Sequence, residues 1–272
     1  MLLTAVTNEV HPDISPEGLP KIFGRATKAG IDLFELRVVE GKRFPMFDPE
    51  AWDRLKAQSK AFGITYTAVS PGLFKAPLNS ELMALHADHL LPMSLDLAEK
   101  MDVATLILFG PTRVANPAAD EFQQVVNLIG NAVDKAVARG FTVQLENLPG
   151  SWADTSDACL ALRQAVDRPQ FGYVWDTGNL YEAEQEHFRA GYEKLKPYIR
   201  NVHLKDGGFV NGKMVWMRYG EGVTDVKGQV EALIADDYQG TLVLEAACQP
   251  HELEDFPSSI ATLKDILAQN GR

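Results

Sequence analysis

Apolar and polar positions follow two rhythms along this chain. Short runs rich in apolar, β-branched and aromatic residues recur over residues 3–8, 32–37, 64–70, 105–109, 142–146, 172–176, 199–205 and 241–245. Each run has the length of a strand. Between them lie longer stretches with helical spacing: Ile22, Ala26 and Ala29 precede Gly30, Trp52, Leu55 and Phe62 precede Gly63, and Val126, Ile129, Val133 and Val137 precede Gly140. A glycine just past the last turn supplies the left-handed residue on which many helices end. A final helix is predicted after Pro257, with Ile260, Leu263 and Leu267 on one face.

Strands alternating with helices indicate βα units and a parallel sheet. The strands are apolar nearly throughout, as strands covered on both faces must be. Eight units share 272 residues, about 34 apiece, and no Gly/Ser or Pro tract marks a linker. The pattern therefore predicts an α/β fold, a single (β/α)8 barrel domain over residues 1–272. An open dinucleotide-binding sheet lacks its main support, because no G-x-G-x-x-G follows the first run.

Composition narrows the partners. A net charge of −11 opposes a phosphate backbone, which rewards clustered Lys and Arg. No segment offers the ~20 apolar residues of a membrane span, and the start lacks the basic and long apolar regions of a secretory signal. A cytoplasmic protein is expected, acting on a small carbohydrate-like molecule, with no nucleic acid and no membrane as partner and with a homo-oligomer left open. Cys159 and Cys248 are isolated in sequence, which suits two reduced, buried thiols rather than a disulfide.

In such a barrel the chemistry sits at the C-terminal ends of the strands. Four of the last runs close on polar residues: Glu146, Asp176, His203 and Glu245. Side chains alternate faces along a strand, so if Leu145, Trp175, Leu204 and Leu244 face the helices, these four face the barrel mouth. Any one of them alone reads as a solvated carboxylate or a hydrogen-bonded imidazole. Together, three carboxylates converging with one imidazole repel one another unless a cation joins them, and such a donor set suits one divalent metal, Mn²⁺, Mg²⁺, Co²⁺ or Zn²⁺.

Several segments carry a family resemblance: Gly30-Ile31-Asp32-Leu33-Phe34-Glu35-Leu36-Arg37, Leu145-Glu146-Asn147, Trp175-Asp176-Thr177-Gly178-Asn179, Val202-His203-Leu204-Lys205-Asp206, Gly220-Glu221-Gly222 and Leu244-Glu245. With these the chain resembles the xylose-isomerase-like superfamily of sugar isomerases and epimerases, which also includes metal-dependent apurinic endonucleases. The resemblance implies a metal on Glu146, Asp176, His203 and Glu245, with Glu146 and Glu245 doubling as acid and base. One departure is Asn179, where many relatives carry a His. The endonuclease branch needs further histidines, and only His11, His86, His89, His187 and His251 remain here.

Other residues are candidates for substrate contact. Lys205 shares a face with His203 and suits a substrate oxygen, with a salt bridge to Asp176 or Glu146 as the alternative. Glu35 and Arg37 share a face of the second strand and either line the mouth or pair with each other. His11 follows the first strand, at the mouth or in a loop. Trp152, Phe74 and Trp216 fall in βα loops and can wall a sugar ring or pack within their loops. Gly220-Glu221-Gly222 suggests a tight turn near ligand, and His86 and His89 a solvated pair on a surface helix.

The expected activity is that of a metal-dependent isomerase or epimerase of a keto sugar or related polyol, working through an enediolate with Glu146 and Glu245 as acid and base. The alternative is a lyase, a dehydratase of a keto-sugar, keto-inositol or dehydroshikimate-like substrate. A barrel that only binds a sugar would not need both glutamates.

Overall fold

The computed structural model describes residues 1–185, 187–245 and 252–271. Eight parallel strands close a barrel: β1 (Leu2–Val6), β2 (Leu33–Leu36), β5 (Thr65–Leu73), β6 (Thr105–Phe109), β7 (Thr142–Glu146), β8 (Phe171–Asp176), β9 (Ile199–Leu204) and β12 (Thr241–Leu244). Around the barrel they run β1-β12-β9-β8-β7-β6-β5-β2, with β2 pairing back to β1. The closed, all-parallel arrangement is the (β/α)8 barrel read from the apolar runs, and the strand limits lie within three residues of those read from the sequence.

Helices cover the outside: α1 (Gly18–Lys28), α2 (Pro49–Phe62), α3 (Glu81–Leu85), α4 (Leu91–Lys100), α5 (Glu121–Val137), α6 (Ser156–Val166), α7 (Thr177–Glu184), α8 (Phe188–Leu195), α9 (Val226–Ala235) and α10 (Glu252–Gln269). The outward residues of the strands meet them. Trp175 of β8, for example, is fully buried against Tyr192 of α8, ring centroids 5.2 Å apart. By strand alternation Val174 shares the inward face with Asp176, and it joins Ala68 and Ile107 in a small separate apolar cluster. The barrel is thus filled below its mouth. Among the described residues no helix is long and apolar enough to cross a membrane.

Two helical expectations change. The last helix runs through Pro257 rather than starting after it. A mid-helix proline leaves the carbonyl four residues back without its donor, and here Arg25 Nη1 donates to Leu253 O, supplying the missing bond. Between α3 and α4 the helix opens into a π turn over His86–Leu90. That turn buries His86, whose Nδ1 accepts from the Phe74 amide at 2.9 Å, so His86 is no solvated partner of the exposed His89. Phe74 itself is fully buried with φ 66°, which takes it away from any substrate wall. Cys159 is a buried free thiol; Cys248 and His251 lie outside the described residues.

Two short hairpins interrupt the alternation: β3 (Val38–Val39) with β4 (Lys42–Arg43), and β10 (Asp206–Val210) with β11 (Lys213–Met217). Both leave from the C-terminal ends of barrel strands, β2 and β9, so both stand at the mouth.

Candidate metal and acid–base centre

The ends of four strands bring the expected ligands together. One atom from each of Glu146, Asp176, His203 and Glu245 lies within 4.8 Å of the others, and all four residues are buried. Register does this: Asp176 stands beside His203 on β8 and β9, and His203 beside Val243 on β12. Glu245 sits just past β12, its amide donating to Leu204 O at 3.2 Å. Asn147, next to Glu146, straps β7 to β8: its amide group donates to Asp176 O at 2.8 Å and its carbonyl accepts from Asp176 N at 2.9 Å.

His203 lies between carboxylates. Its Nδ1 is 2.9 Å from Glu245 Oε2 and 3.8 Å from Glu146 Oε1, and its Nε2 is 2.9 Å from Glu35 Oε2. Burial works against charge on this imidazole, but Glu35, Glu146 and the bonds to Glu245 and Glu35 overcome it and hold its pKa well above the ordinary histidine value. Glu35 spends its other oxygen on Asn201. It does not pair with Arg37, and at 1% exposure it supports His203 from beneath.

Arg37 instead reaches Glu245 Oε1 at 2.6 Å, Asn8 Oδ1 at 2.9 Å and Glu9. Lys205 Nζ lies 2.8 Å from Asp176 Oδ2, 3.1 Å from Glu245 Oε2 and 3.4 Å from Asn179 Oδ1. The salt bridge to Asp176 expected as the alternative for Lys205 is therefore formed, while that to Glu146 is not. These cations split the carboxylates into two kinds. Burial would raise Glu245, but Lys205, Arg37 and the bond to His203 hold it well below the usual range. Glu146 is pushed up to about 7 by burial, which His203 and Lys205 only partly offset. Its Oε2 is buried with no hydrogen-bond partner.

Five buried carboxylates, with one oxygen each of Glu9 and Glu146 unsatisfied, face Arg37, Lys205 and His203. An unpaired buried carboxylate oxygen costs free energy, and a hard divalent cation on three carboxylates and a neutral imidazole removes that cost. The donor set fits the metal expected from the sequence. Loading has to remove the His203 proton and any proton on Glu146. Both pKa values are raised, so these protons are held at neutral pH and affinity should climb as pH rises through about 7. Calorimetry with Mn²⁺ in buffers of different ionisation enthalpy should find at least about one proton released near pH 7, and the melting shift on adding Mn²⁺ should be larger at pH 8 than at pH 5.5. Equal shifts with no proton release would take His203 and Glu146 out of the ligand set.

The remaining candidates are placed differently. His11 accepts from the Asp13 amide at 3.1 Å and lines grooves beside α1, one of them shared with Asn8 and Glu9. Trp152 packs on Phe122, centroids 5.9 Å apart, under Arg113. Trp216, on β11, lies over Lys205 Nζ at 5.2 Å from the ring centre. A Cβ on Gly178 would come within 2.7 Å of that ring and of Lys205, so glycine is required there. Asn179 caps nothing of its own: its amide N–H donates to Asp176 Oδ1 at 2.9 Å and its side chain to Asn147 O at 3.0 Å, with Glu146 Oε1 at 3.5 Å. The Gly220-Glu221-Gly222 turn wraps Asp206, whose carboxylate accepts from the amides of Gly220, Gly222 and Thr224. Sequence reading passed over Glu9, Asn8, Asn147 and Asn201. The clue available was position, since Asn8 and Glu9 follow β1 and Asn147 follows Glu146 directly.

Comparison with known proteins agrees with this fold. A family model described as xylose isomerase-like TIM barrel matches residues 23–266. The inosose dehydratase of Geobacillus thermodenitrificans (strain NG80-2) is 25% identical over 146 residues, 48% of this chain and 49% of that protein. The chain thus spans about half the length of the curated relatives it matches. The solved structure of the probable 3-DHS dehydratase AsbF from Bacillus anthracis superposes with a TM-score of 0.78 at 18% identity, covering 97% of this chain and 99% of that one. An L-ribulose 3-epimerase gives 0.78 at 16%, covering 99% and 95%. At such identities the structural likeness speaks for the fold.

Proposed function

The chain belongs to the xylose isomerase-like TIM barrel family, and from that membership we propose that it moves a proton beside the ketone of a small polyhydroxylated substrate. Glu146, Asp176, His203 and Glu245 would hold one divalent cation. Bound there, the cation supplies positive charge against the ketone oxygen as the neighbouring proton leaves.

The observation that carries this reading is the inequality of the two glutamates. Glu245, paired to Arg37 and Lys205, stays ionised and is the base that takes the proton. Glu146, whose Oε2 has no hydrogen-bond partner and whose burial favours the protonated form, takes up a proton from solvent at that oxygen during turnover and delivers it. Efficient acid–base catalysis asks for a group poised near the working pH. Arg37 keeps Glu245 in place, and the Asn147 strap fixes Asp176 relative to Glu146. Lys205 bridges Asp176 and Glu245, so the two sides of the site cannot drift apart independently.

Delivery to carbon on the opposite face gives an epimerase or isomerase, the first reading. Delivery to a departing hydroxyl gives a dehydratase, which the likeness to inosose dehydratases favours as the second. Mass spectrometry of Mn²⁺-loaded protein incubated in deuterated water with ketohexoses, inososes and 3-dehydroshikimate separates them. An epimerase yields an isomer carrying solvent deuterium, and a dehydratase yields a product lighter by one water. Metal-loaded protein that causes neither exchange nor water loss across the panel overturns the reading.

A further inference from the structure

The cations of the mouth fall into two groups. Arg37 and Lys205 are tied to carboxylates and their pKa values are raised by them despite burial. Arg43 and Lys75 are not: among the described residues neither forms an ion pair. Both nevertheless lie over one aromatic ring, the guanidinium carbon of Arg43 5.8 Å and Lys75 Nζ 5.2 Å from the centre of Phe109. Phe109 ends β6 and stands directly beside Glu146 on β7. The pair of cations therefore overhangs the strand end next to the acid–base centre.

The seat of Arg43 is built. Its Nε donates to Ser70 O at 3.1 Å, with Nη2 3.5 Å from Ser70 Oγ. Gly72, at φ +76°, leaves the space its side chain fills: a Cβ there would lie 2.8 Å from Nε and 3.0 Å from Cδ. Ser70 is fully enclosed and Arg43 half-buried. Burial, with Arg37 nearby, brings the Arg43 pKa down to about 10, and burial lowers that of Lys75 as well. A guanidinium has five N–H donors, and Ser70 occupies one side of the fork. Cation–π contact returns only ~0.5–2 kcal/mol, so the fork is held for something with more charge.

Charge balance says what. Arg37 and Lys205 are neutralised by the carboxylates of the centre, whereas Arg43 and Lys75 have no carboxylate partner among the described residues. They leave a local excess of positive charge over Phe109, which an anionic group on the substrate neutralises. Carboxylate and phosphate both match the planar fork of an arginine, whereas a neutral hydroxyl does not.

Resting on the reading of the centre given above, we propose that Arg43 and Lys75, seated over Phe109, form a subsite for an anionic group carried by the substrate. The substrate class is then a keto acid of the sugar type or a ketose phosphate, rather than a free ketose. Arg43 holds the anion in a fixed orientation, and the solvent-exposed Lys75 adds charge from the loop after β5.

The test uses three probes of one stereochemical series on Mn²⁺-loaded protein: D-fructose, 2-keto-D-gluconate and D-fructose 6-phosphate. Calorimetric titration should give at least one anionic probe about tenfold tighter binding than fructose, a fructose signal too weak to measure counting as such a preference; whichever anion wins identifies the group. Arg43→Gln and Lys75→Gln should each cut that preference about fivefold or more and leave the bound Mn²⁺ unchanged. Lys75 is exposed, so its variant is not at risk of misfolding. The proposal is overturned if fructose binds as tightly as both anions, or if neither anion binds up to about 50 mM. It is also overturned if the preference survives both substitutions, because the anion is then read by the metal. Metal content of the same samples reports separately on the centre: protein that binds no Mn²⁺ fails the metal reading, and the anion preference is still measured on it.

Discussion

Replacing His203 with alanine is expected to lower affinity for Mn²⁺ by at least about 100-fold, so that protein purified without added metal carries almost none. The imidazole is enclosed by Glu245, Glu146 and Glu35 within 2.9–3.8 Å. Its loss removes the nitrogen ligand and leaves three carboxylates facing one another, which then take up protons and no longer bind metal well. Asp176→Ala should behave alike, since it removes a ligand oxygen and a charge and also takes from Lys205 one of its two carboxylate partners. Glu35→Gln should cost less, about 10–100-fold, because it changes only the group that orients His203 through Nε2. Elemental analysis of folded variants, checked by circular dichroism, reads the order. Full metal content in folded His203→Ala protein would remove His203 from the ligand set.

The barrel was legible because its strands are apolar on both faces and because glycines stop the helices: Gly30, Gly63 and Gly140 have φ of 78°, 67° and 85°. What escaped was local and small. The β10–β11 hairpin turns at Asn211-Gly212, φ 51° and 77°, the pair that favours a two-residue hairpin turn. That signal was in the sequence, but the eight-unit count left no place for extra strands. The α7 helix was equally readable, since Asp176 caps it by accepting from the Asn179 amide, so one residue serves both as strand-end carboxylate and as helix cap. The π turn that buries His86 and the helix that passes through Pro257 depend on Phe74 and Arg25, partners remote in sequence, and no periodicity encodes them.

In the site, alternation along strands was enough to bring Glu146, Asp176, His203 and Glu245 to one mouth. Pairings among the supporting residues were not legible, because they are set by how strands β2, β9 and β12 are staggered in the closed barrel. Glu35 and Arg37 lie two apart on one strand, a spacing that suits a mutual pair, yet Glu35 meets His203 and Arg37 meets Glu245. His11 and Trp152 lie in the loops that follow β1 and β7, and the contacts they make there, with the Asp13 amide and with Phe122, are not written in the strand pattern. Arg43 escaped because its position depends on the absence of a side chain at Gly72, 29 residues away in the chain but adjacent in space.

The Glu146→Gln and Glu245→Gln variants separate metal binding from proton transfer. Each keeps the shape and one oxygen able to bind metal while losing the basic carboxylate, and each should lower kcat on the order of 10²-fold or more, the usual worth of a positioned acid or base. Their surroundings make them differ. Glutamine at 245 leaves Arg37 and Lys205 without their shared carboxylate, so this variant should bind metal more weakly than Glu146→Gln and needs added Mn²⁺ for the comparison. With metal restored, Glu245→Gln should stop both product formation and exchange of substrate hydrogen with deuterated water, since the base is gone. Glu146→Gln should still exchange, because Glu245 remains to take the proton, yet form little product, because nothing delivers a proton to the opposite face or to a leaving hydroxyl. The pH dependence should follow: in the parent, kcat should fall as pH rises and Glu146 no longer takes up a proton, and in Glu146→Gln that limb should vanish. Exchange lost in Glu146→Gln and kept in Glu245→Gln would swap the two roles. Parental turnover in both, with metal bound, would rule out acid–base catalysis by this pair.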